Sequence, residues 1–237
     1  VFWGYDLFKE AKIRRFALRE PGSGARPALF DRLYAHMGGR LAGTPFWRRA
    51  LMNAGDPSDP LFSHQSRLAA TGVTRSFYEP GLRRDLDALG PLDRIRASLP
   101  PAFASWSTLQ RASWLEITTL LEPYLLSTQG DRVAMAHGVE GRYPFLDHRV
   151  LEWAASQPDH RKLSGLRDKV AVREVARRVL PPAAAAAAAR PKQPYRAPEI
   201  RPFFPASGAP DWVRELLAPD ALRDAGFFDP GAVAGLV

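Results

Sequence analysis

Cysteine is absent from this 237-residue chain. That excludes a disulfide framework, a thiolate nucleophile and any cysteine-based zinc or iron–sulfur site. No stretch of eighteen or more uncharged apolar residues occurs, so no segment reads as membrane-spanning. The first residues do not read as a secretory leader: Lys9, Lys12, Arg14 and Arg15 interrupt the apolar residues and no small-residue cleavage site follows. A cytoplasmic location is the expectation. Lysine is scarce; only five of the 33 basic residues are lysine, which leaves 28 arginines. Such an arginine excess beside many Ala, Gly and Pro looks like codon bias. The net charge of +8 is therefore a weak argument for nucleic acid, and the arginines are spread among acids with no polybasic tail. The charge reads as mostly a solvated surface, with nucleic acid not expected as a partner. Also missing are a His-Glu-x-x-His zinc motif, a Gly-x-Ser-x-Gly elbow, a Gly-x-x-x-x-Gly-Lys phosphate loop and a dinucleotide fingerprint. His36, His64, His137, His148 and His160 show no metal-ligand spacing, so no metal site is expected within the chain.

What is present suits a folded protein. Apolar residues make up 46% and charged residues 24%, enough for one sizeable core or two small ones. The chain opens at Val1 on the aromatic run Phe2-Trp3-Gly4-Tyr5, where a natural terminus is usually polar. Asp229-Pro230 reads as a helix start, followed by residues for only about two turns. Both ends suggest a piece of a longer protein.

Helix signals dominate. Phe30, Leu33, Tyr34 and Met37 fall at helical spacing before Gly38-Gly39. From Leu51 to Pro101 turn signals are dense, which predicts loops and short helices with Phe62, Leu68, Phe77 and Tyr78 available for packing. Trp114, Ile117, Leu121, Tyr124 and Leu125 predict a longer buried helix kinked at Pro123. Asp147 is expected to cap a helix carrying Val150, Leu151, Ala154 and Ala155 that ends before Pro158. Ala171, Val172, Val175, Ala176 and Val179 share one face of the next, with Arg173, Arg177 and Arg178 expected in solvent. The alanine run 183–189 predicts one or two short turns, and Trp212, Val213, Leu216 and Leu217 a last complete helix. Strand alternation is almost missing. The scattered tryptophans, Trp3, Trp47, Trp106, Trp114, Trp153 and Trp212, read as core. The chain as given is predicted to be mainly α.

Three clusters offer chemistry. In 127–147, Asp131, Arg132, Glu140 and Arg142 interrupt small apolar residues, and Gly130, Gly138, Gly141 and Pro144 bend the backbone. Buried charges must be paired, so Asp131 with Arg132 and Glu140 with Arg142 are expected as internal ion pairs, either shaping a pocket wall or purely structural. In 190–198, prolines 191, 194 and 198 stiffen a loop around Lys192. A lysine held there suits a phosphate, with Arg190 and Arg196 as forked donors; the alternative is a solvated basic loop. Lys169, with Arg167 and Arg173, stands near a helix start, where anions are favoured; the alternative is a surface lysine.

The run Gly130-Asp-Arg-Val-Ala-Met-Ala-His-Gly-Val-Glu140-Gly-Arg142-Tyr-Pro-Phe-Leu-Asp-His148, then Lys169, Arg173-Glu174, Leu180-Pro-Pro182 and Arg190-Pro-Lys192-Gln-Pro-Tyr-Arg-Ala-Pro198, resembles the synthetase domain of glutamine-hydrolysing asparagine synthetases. Phe2-Trp-Gly-Tyr5 resembles the tail of that family's acidic segment. Gly226-Phe-Phe-Asp229-Pro230 resembles its penultimate helix start. The resemblance spans nearly the whole chain, with its specific motifs in 129–198. It implies that residues 1–237 are a C-terminal portion of the domain, truncated at both ends: the helical part of an α/β adenine-nucleotide-hydrolase-like fold whose parallel sheet lies mostly upstream. In that family aspartate is adenylated by ATP with Mg2+, and ammonia, released from glutamine in an amino-terminal domain, attacks β-aspartyl-AMP. Asparagine, AMP and pyrophosphate leave. The resemblance gives catalytic roles to Lys192 and Glu140, phosphate contacts to Lys192, Lys169 and Arg142, and supporting positions to Asp131 and Arg132. It leaves a homodimer open.

Departures matter. The nucleotide-binding Ser-Gly-Gly-x-Asp-Ser loop and the catalytic amino-terminal cysteine are not in this sequence, so the chain alone is expected to be inactive. A related enzyme that adenylates another acid, such as a β-lactam synthetase or a natural-product amide-forming enzyme, is the alternative. A basic nucleic-acid-binding module and a non-catalytic helical scaffold are further ones.

Overall fold

The computed structural model describes residues 1–33, 55–190, 202–205 and 207–235. In chain order the α-helices are α1 Asp6–Leu18, α2 Gln65–Gly72, α3 Pro80–Ala88, α4 Pro91–Ala97 and α5 Thr108–Glu116. They continue as α6 Arg132–Ala136, α7 His148–Ser156, α8 Asp159–Lys162, α9 Val170–Val179 and α10 Pro182–Ala185. Last come α11 Asp211–Leu216, α12 Pro219–Ala225 and α13 Pro230–Ala234. Among the described residues the only sheet is the two-stranded ribbon of β1 Leu163–Ser164 and β2 Arg167–Asp168, antiparallel with Leu163 opposite Asp168. The mainly helical expectation therefore holds. Among the described residues no helix is long and apolar enough to cross a membrane.

The chain divides into two units, 1–66 with 100–192 and 67–99 with 193–237. In the first, Asp6 in the opening turn of α1 and Arg15 in its last turn both complement the helix dipole. Its buried face carries Leu7, Phe8, Ala11, Ile13 and Ala17 but also Glu10 and Arg14, which are 3% and 1% exposed. Arg14 lies 3.6 Å from Glu10, donates to the Ser63 carbonyl at 3.2 Å and covers the Phe62 ring at 4.5 Å. Glu10 also accepts from the Ser66 hydroxyl. Next to this, His64 meets Ser63 Oγ at 2.9 Å and Glu116 at 3.1 Å. These buried charges are tolerated because each is partnered.

The core proper is Trp3, Leu7 and Phe8 packed against Leu109, Ala112 and Leu163. Trp3 stacks on Phe8 with centroids 5.7 Å apart and donates its indole N–H to Ser113 Oγ at 3.0 Å. The buried Lys162 ammonium sits 4.3 Å from the Trp3 ring centre and donates to the Ala154 carbonyl at 3.0 Å. A capping box starts α5: Ser107 Oγ accepts from Gln110 N, and Gln110 Oε1 accepts from Ser107 N. Asp147 caps α7 by accepting from Arg149 N at 2.9 Å, as expected.

Several sequence expectations change. After Glu116 the helix widens into a π-helix, Ile117–Asp131, that contains Pro123. Proline lacks the N–H that an α-helical ladder needs, and the i→i+5 register accommodates the gap. Burial stops early as well: Leu115 and Glu116 are buried, whereas Tyr124 is exposed. The helix expected from Phe30 is instead a 3-10 helix, Pro27–Arg32, ended by an extended Leu33; Tyr34, Met37 and Gly38-Gly39 lie outside the described residues. Trp3 is core, but Trp153 and Trp212 are about half exposed and Trp47 lies outside the described residues.

In the second unit, Tyr78 and Phe228 form an antiparallel bridge. Glu79 N donates to the Phe227 carbonyl at 3.0 Å and Asp229 N to the Phe77 carbonyl at 2.9 Å. Each side of the bridge starts a helix with a carboxylate cap: Glu79 accepts from Leu82 N at 2.8 Å and Asp229 from Ala232 N at 2.7 Å. Val213, Leu222 and Val233 are buried. On α11, Trp212 and Leu216 stay exposed, so the expected apolar face is only partly covered.

Candidate active site

The Trp3–Phe8 segment, α5, the π-helix and the start of α9 enclose a cavity of about 430 Å³. Its walls are mainly apolar, with Phe8, Leu120, Leu121, Leu125 and Leu146, while Glu116 and Lys169 bring charge to the lining. An apolar enclosure with few polar groups is the usual form of a small-molecule site.

Lys169 occupies the N-cap position of α9 with φ 51 and ψ 36, a left-handed backbone. Such a conformation costs a non-glycine residue about 1–3 kcal/mol and is held only by its surroundings. Its side chain crosses Gly4, where an added Cβ would collide with Lys169 Cε. The absence of a side chain at residue 4 is thus what gives the lysine its path along the cavity wall.

The surroundings that hold Lys169 begin one residue earlier. Asp168 is 4% exposed, yet it is an ion. Its Oδ2 lies 2.8 Å from Lys9 Nζ and its Oδ1 2.7 Å from Arg173 Nη2. Burial pushes the Asp168 carboxyl up, but the hydrogen bonds from Lys9 and Arg173 outweigh it and hold the group below its ordinary value. Burial likewise lowers Lys9, and its bonds to Asp168 and Asp6 more than reverse this. Arg173 also donates through Nε to the Asp168 carbonyl at 2.9 Å, and through Nη1 to the carbonyls of Ala188 at 2.6 Å and Arg190 at 2.7 Å. The expectation that Arg173 faces solvent is corrected: a buried carboxylate just before the helix draws it inward. Lys192 lies two residues beyond Arg190, outside the described residues, as do Arg196 and the prolines around it.

The expected internal ion pairs of the 127–147 segment are also corrected. Glu140 and Arg142 do pair, at 2.6 Å, but their side chains are 67% and 78% exposed. Asp131 and Arg132 are exposed and form no ion pair with each other. The backbone runs from the π-helix through the short α6 into turns at His137 and Gly138, so no second layer covers these charges. None of the four lines the cavity. An exposed pair of this kind contributes about 0–1 kcal/mol.

Phe2, Phe145 and Val172 continue the cavity into an apolar groove of about 300 Å³ along α9, with Trp153, Val175, Val179 and Leu180. The apolar face read from the sequence of α9 is this groove wall, left open rather than packed: Val175 and Val179 are exposed. No cluster of three or more His, Asp or Glu side chains suited to a metal ion occurs among the described residues.

Sequence reasoning missed Gly4, Lys9, Asp168 and Glu116. Gly4 sits in a motif read only as an aromatic run. Lys9 and Asp168 are far apart in sequence, and no local pattern pairs them.

Comparisons with known proteins bear on this geometry. A family model described as asparagine synthase matches residues 1–237. The amidase chry2 of Gibberella zeae is 28% identical over 130 residues, covering 52% of this chain and 19% of that protein. The amidase chyE of Penicillium rubens is 28% identical over 127 residues, with the same coverage of 52% and 19%. Asparagine synthetase [glutamine-hydrolyzing] 2 of Bacillus subtilis is 46% identical over 44 residues, 19% of this chain and 6% of that protein. No solved structure matches. The chain spans about a fifth or less of the length of these relatives.

Proposed function

Because this chain belongs to the asparagine synthase family, we propose that it supplies the helical, phosphate-facing part of an ATP-dependent, amide-forming synthetase. In this reading residues 1–237 are the C-terminal portion of a synthetase domain within a longer cytoplasmic protein. ATP adenylates the side-chain carboxylate of aspartate; ammonia from glutamine, released in an amino-terminal domain, attacks the acyl adenylate; asparagine, AMP and pyrophosphate leave.

The observation that carries the reading is the Arg173 clamp. One guanidinium fixes Asp168, next to Lys169 in the cavity wall, and the carbonyls of Ala188 and Arg190, at the root of the Lys192 loop. The residue before Lys169 and the chain that ends two residues before Lys192 are thereby held by one guanidinium. Cations set in advance where phosphate charge develops act without reorganisation, and positioning is most of what such a reaction needs. Lys192 takes the developing phosphate charge and Lys169 a second phosphate contact. Glu140, Arg142, Asp131 and Arg132, being exposed, are available to substrate or to the rest of the domain: Glu140 as the second catalytic group, Arg142 as a further phosphate contact, the others in support. Magnesium accompanies ATP as substrate. No acidic cluster among the described residues suits it.

A second reading is an enzyme of the same adenylating class acting on another acid. The similarity to the two amidases extends over 52% of the chain, against 19% for the synthetase. Pyrophosphate release from ATP by the full-length protein separates the two. Release that depends on aspartate and yields asparagine supports the first reading; release with another carboxylate supports the second. No acid-dependent release from any carboxylate overturns both.

A further inference from the structure

A second cavity, of about 640 Å³, opens along the C-terminal half of α1 and shares no described lining residue with the first. Its floor is apolar, with Ile13 and Leu109 buried and Phe16 40% exposed, one face of its ring covered by the Arg26 guanidinium 4.3 Å from the ring centre. Its charge is one-sided: among the described lining residues, Lys12, Arg15, Arg19 and Arg32 face the single acid Asp159. That acid already accepts from Ser107 Oγ at 2.8 Å. Lys12 donates to the Gly165 carbonyl at 3.0 Å, and Arg15 donates to the Thr108 hydroxyl. These are contacts to neutral groups, so neither cation forms an ion pair with a described carboxylate, and Asp159 acts on Lys12 only across a distance. The side chains of Arg19 and Arg32 make no hydrogen bond or ion pair with any described residue. Burial lowers the Lys12 pKa, and Asp159 opposes this only in part.

Like charges gathered over a low-dielectric floor repel one another and focus a positive field into the cleft, and an anion relieves both effects. The volume falls within the range of about 300–1,000 Å³ found for drug-sized ligands. We propose that this cavity binds an organic phosphate, its flat apolar body lying on Phe16 and Leu109 and its phosphate taken by Arg19 and Arg32. Guanidinium forks match phosphate oxygens, and these two side chains have no bonds to described residues to give up. The site is additional to the synthetase site and does not depend on that reading.

Calorimetric titration of the whole chain with 1-naphthyl phosphate tests this, with inorganic phosphate and 1-naphthol as separate arms. One ester is expected to bind per chain with a Kd below about 1 mM, and each fragment at least about tenfold more weakly. Arg19→Gln and Arg32→Gln remove charges that make no side-chain bond to a described residue, so both variants are expected to fold, as circular dichroism checks. Each should weaken the ester about tenfold, by analogy with a lost charge-assisted pair. Lys169→Ala, in the first cavity, should leave this binding unchanged. Equal binding of 1-naphthol overturns the anion part of the proposal, and equal binding of inorganic phosphate overturns the apolar part. No binding of the ester at millimolar concentration, or full binding by folded Arg19→Gln and Arg32→Gln, overturns the site.

Discussion

Arg173 joins Asp168 at 2.7 Å and, with the other arm of the same guanidinium, the carbonyls of Ala188 and Arg190. One side chain therefore fixes the residue before Lys169 and the chain that leads to Lys192. Removing it leaves Asp168 buried with only Lys9 for a counter-charge. Loss of one partner of a buried pair costs about 3–5 kcal/mol, so Arg173→Ala should lower the urea midpoint strongly. Arg173→Lys keeps the charge without the fork. It should recover part of that stability yet leave the 186–190 segment more open to limited proteolysis than in the wild type. Equal protection of that segment in Arg173→Lys would mean that the tether is not made by the fork.

The same cluster sets a pH dependence. The folded pKa of Asp168 lies below its unfolded value, held there by Lys9 and Arg173 against burial. Its contribution to stability is complete above the unfolded carboxylate pKa near about 3.9 and is lost as pH falls through the lower folded value. Lys9 is shifted upward. Its contribution is complete below the ordinary lysine value of about 10.4 and is lost only as pH rises beyond it. Unfolding free energy should therefore stay level through neutral pH, as far as this cluster is concerned, and fall at both extremes. Asp168→Asn should flatten both limbs, because Lys9 loses its raised pKa at the same time. An acid limb of unchanged steepness in Asp168→Asn would assign it to other carboxylates.

Much of the local architecture was legible because caps are local. Asp147 and Asp229 each bond to an N–H two or three residues ahead, so sequence spacing alone identifies them. The long α1 escaped notice for the opposite reason. Glu10 and Arg14 lie on its buried face, which breaks the apolar period that marks a helix; what makes them tolerable is Ser63, Phe62 and Ser66, some fifty residues away. The pairing of Glu140 with Arg142 was legible from proximity, whereas its exposure depends on whether another layer covers the loop. The face of α9 was read correctly, but the inward turn of Arg173 was not, since it follows from a carboxylate lying just outside the helix.

Gly4 offers a test that leaves the clamp intact. A methyl group there would meet the side chain of Lys169 and not backbone. The flexible lysine can swing away, so Gly4→Ala should change stability by less than about 1 kcal/mol, within the range of substitutions that create no buried defect. The cavity, however, should lose its lysine. In the full-length enzyme, pyrophosphate release should fall in Gly4→Ala about as far as in Lys169→Ala, and the double variant should be no worse than either single one. Additive losses would show that residue 4 acts by another route.

Lys192 and Glu140 are separable by what each variant leaves intact. Lys192→Ala in the full-length enzyme should lower turnover far more than it raises the KM for the acid substrate, because the cation is needed mainly as phosphate charge develops. Unchanged turnover would remove Lys192 from the chemistry. Glu140→Gln leaves Arg142 without its partner, which in a buried site would unfold the protein. Here both side chains stand in water, and the loss should stay within about 1 kcal/mol. Any fall in activity of Glu140→Gln then reports on substrate and not on folding. A variant with wild-type rate and wild-type stability would identify the Glu140–Arg142 pair as an idle surface contact, whereas a folded variant with a collapsed rate would place Glu140 against the reacting groups.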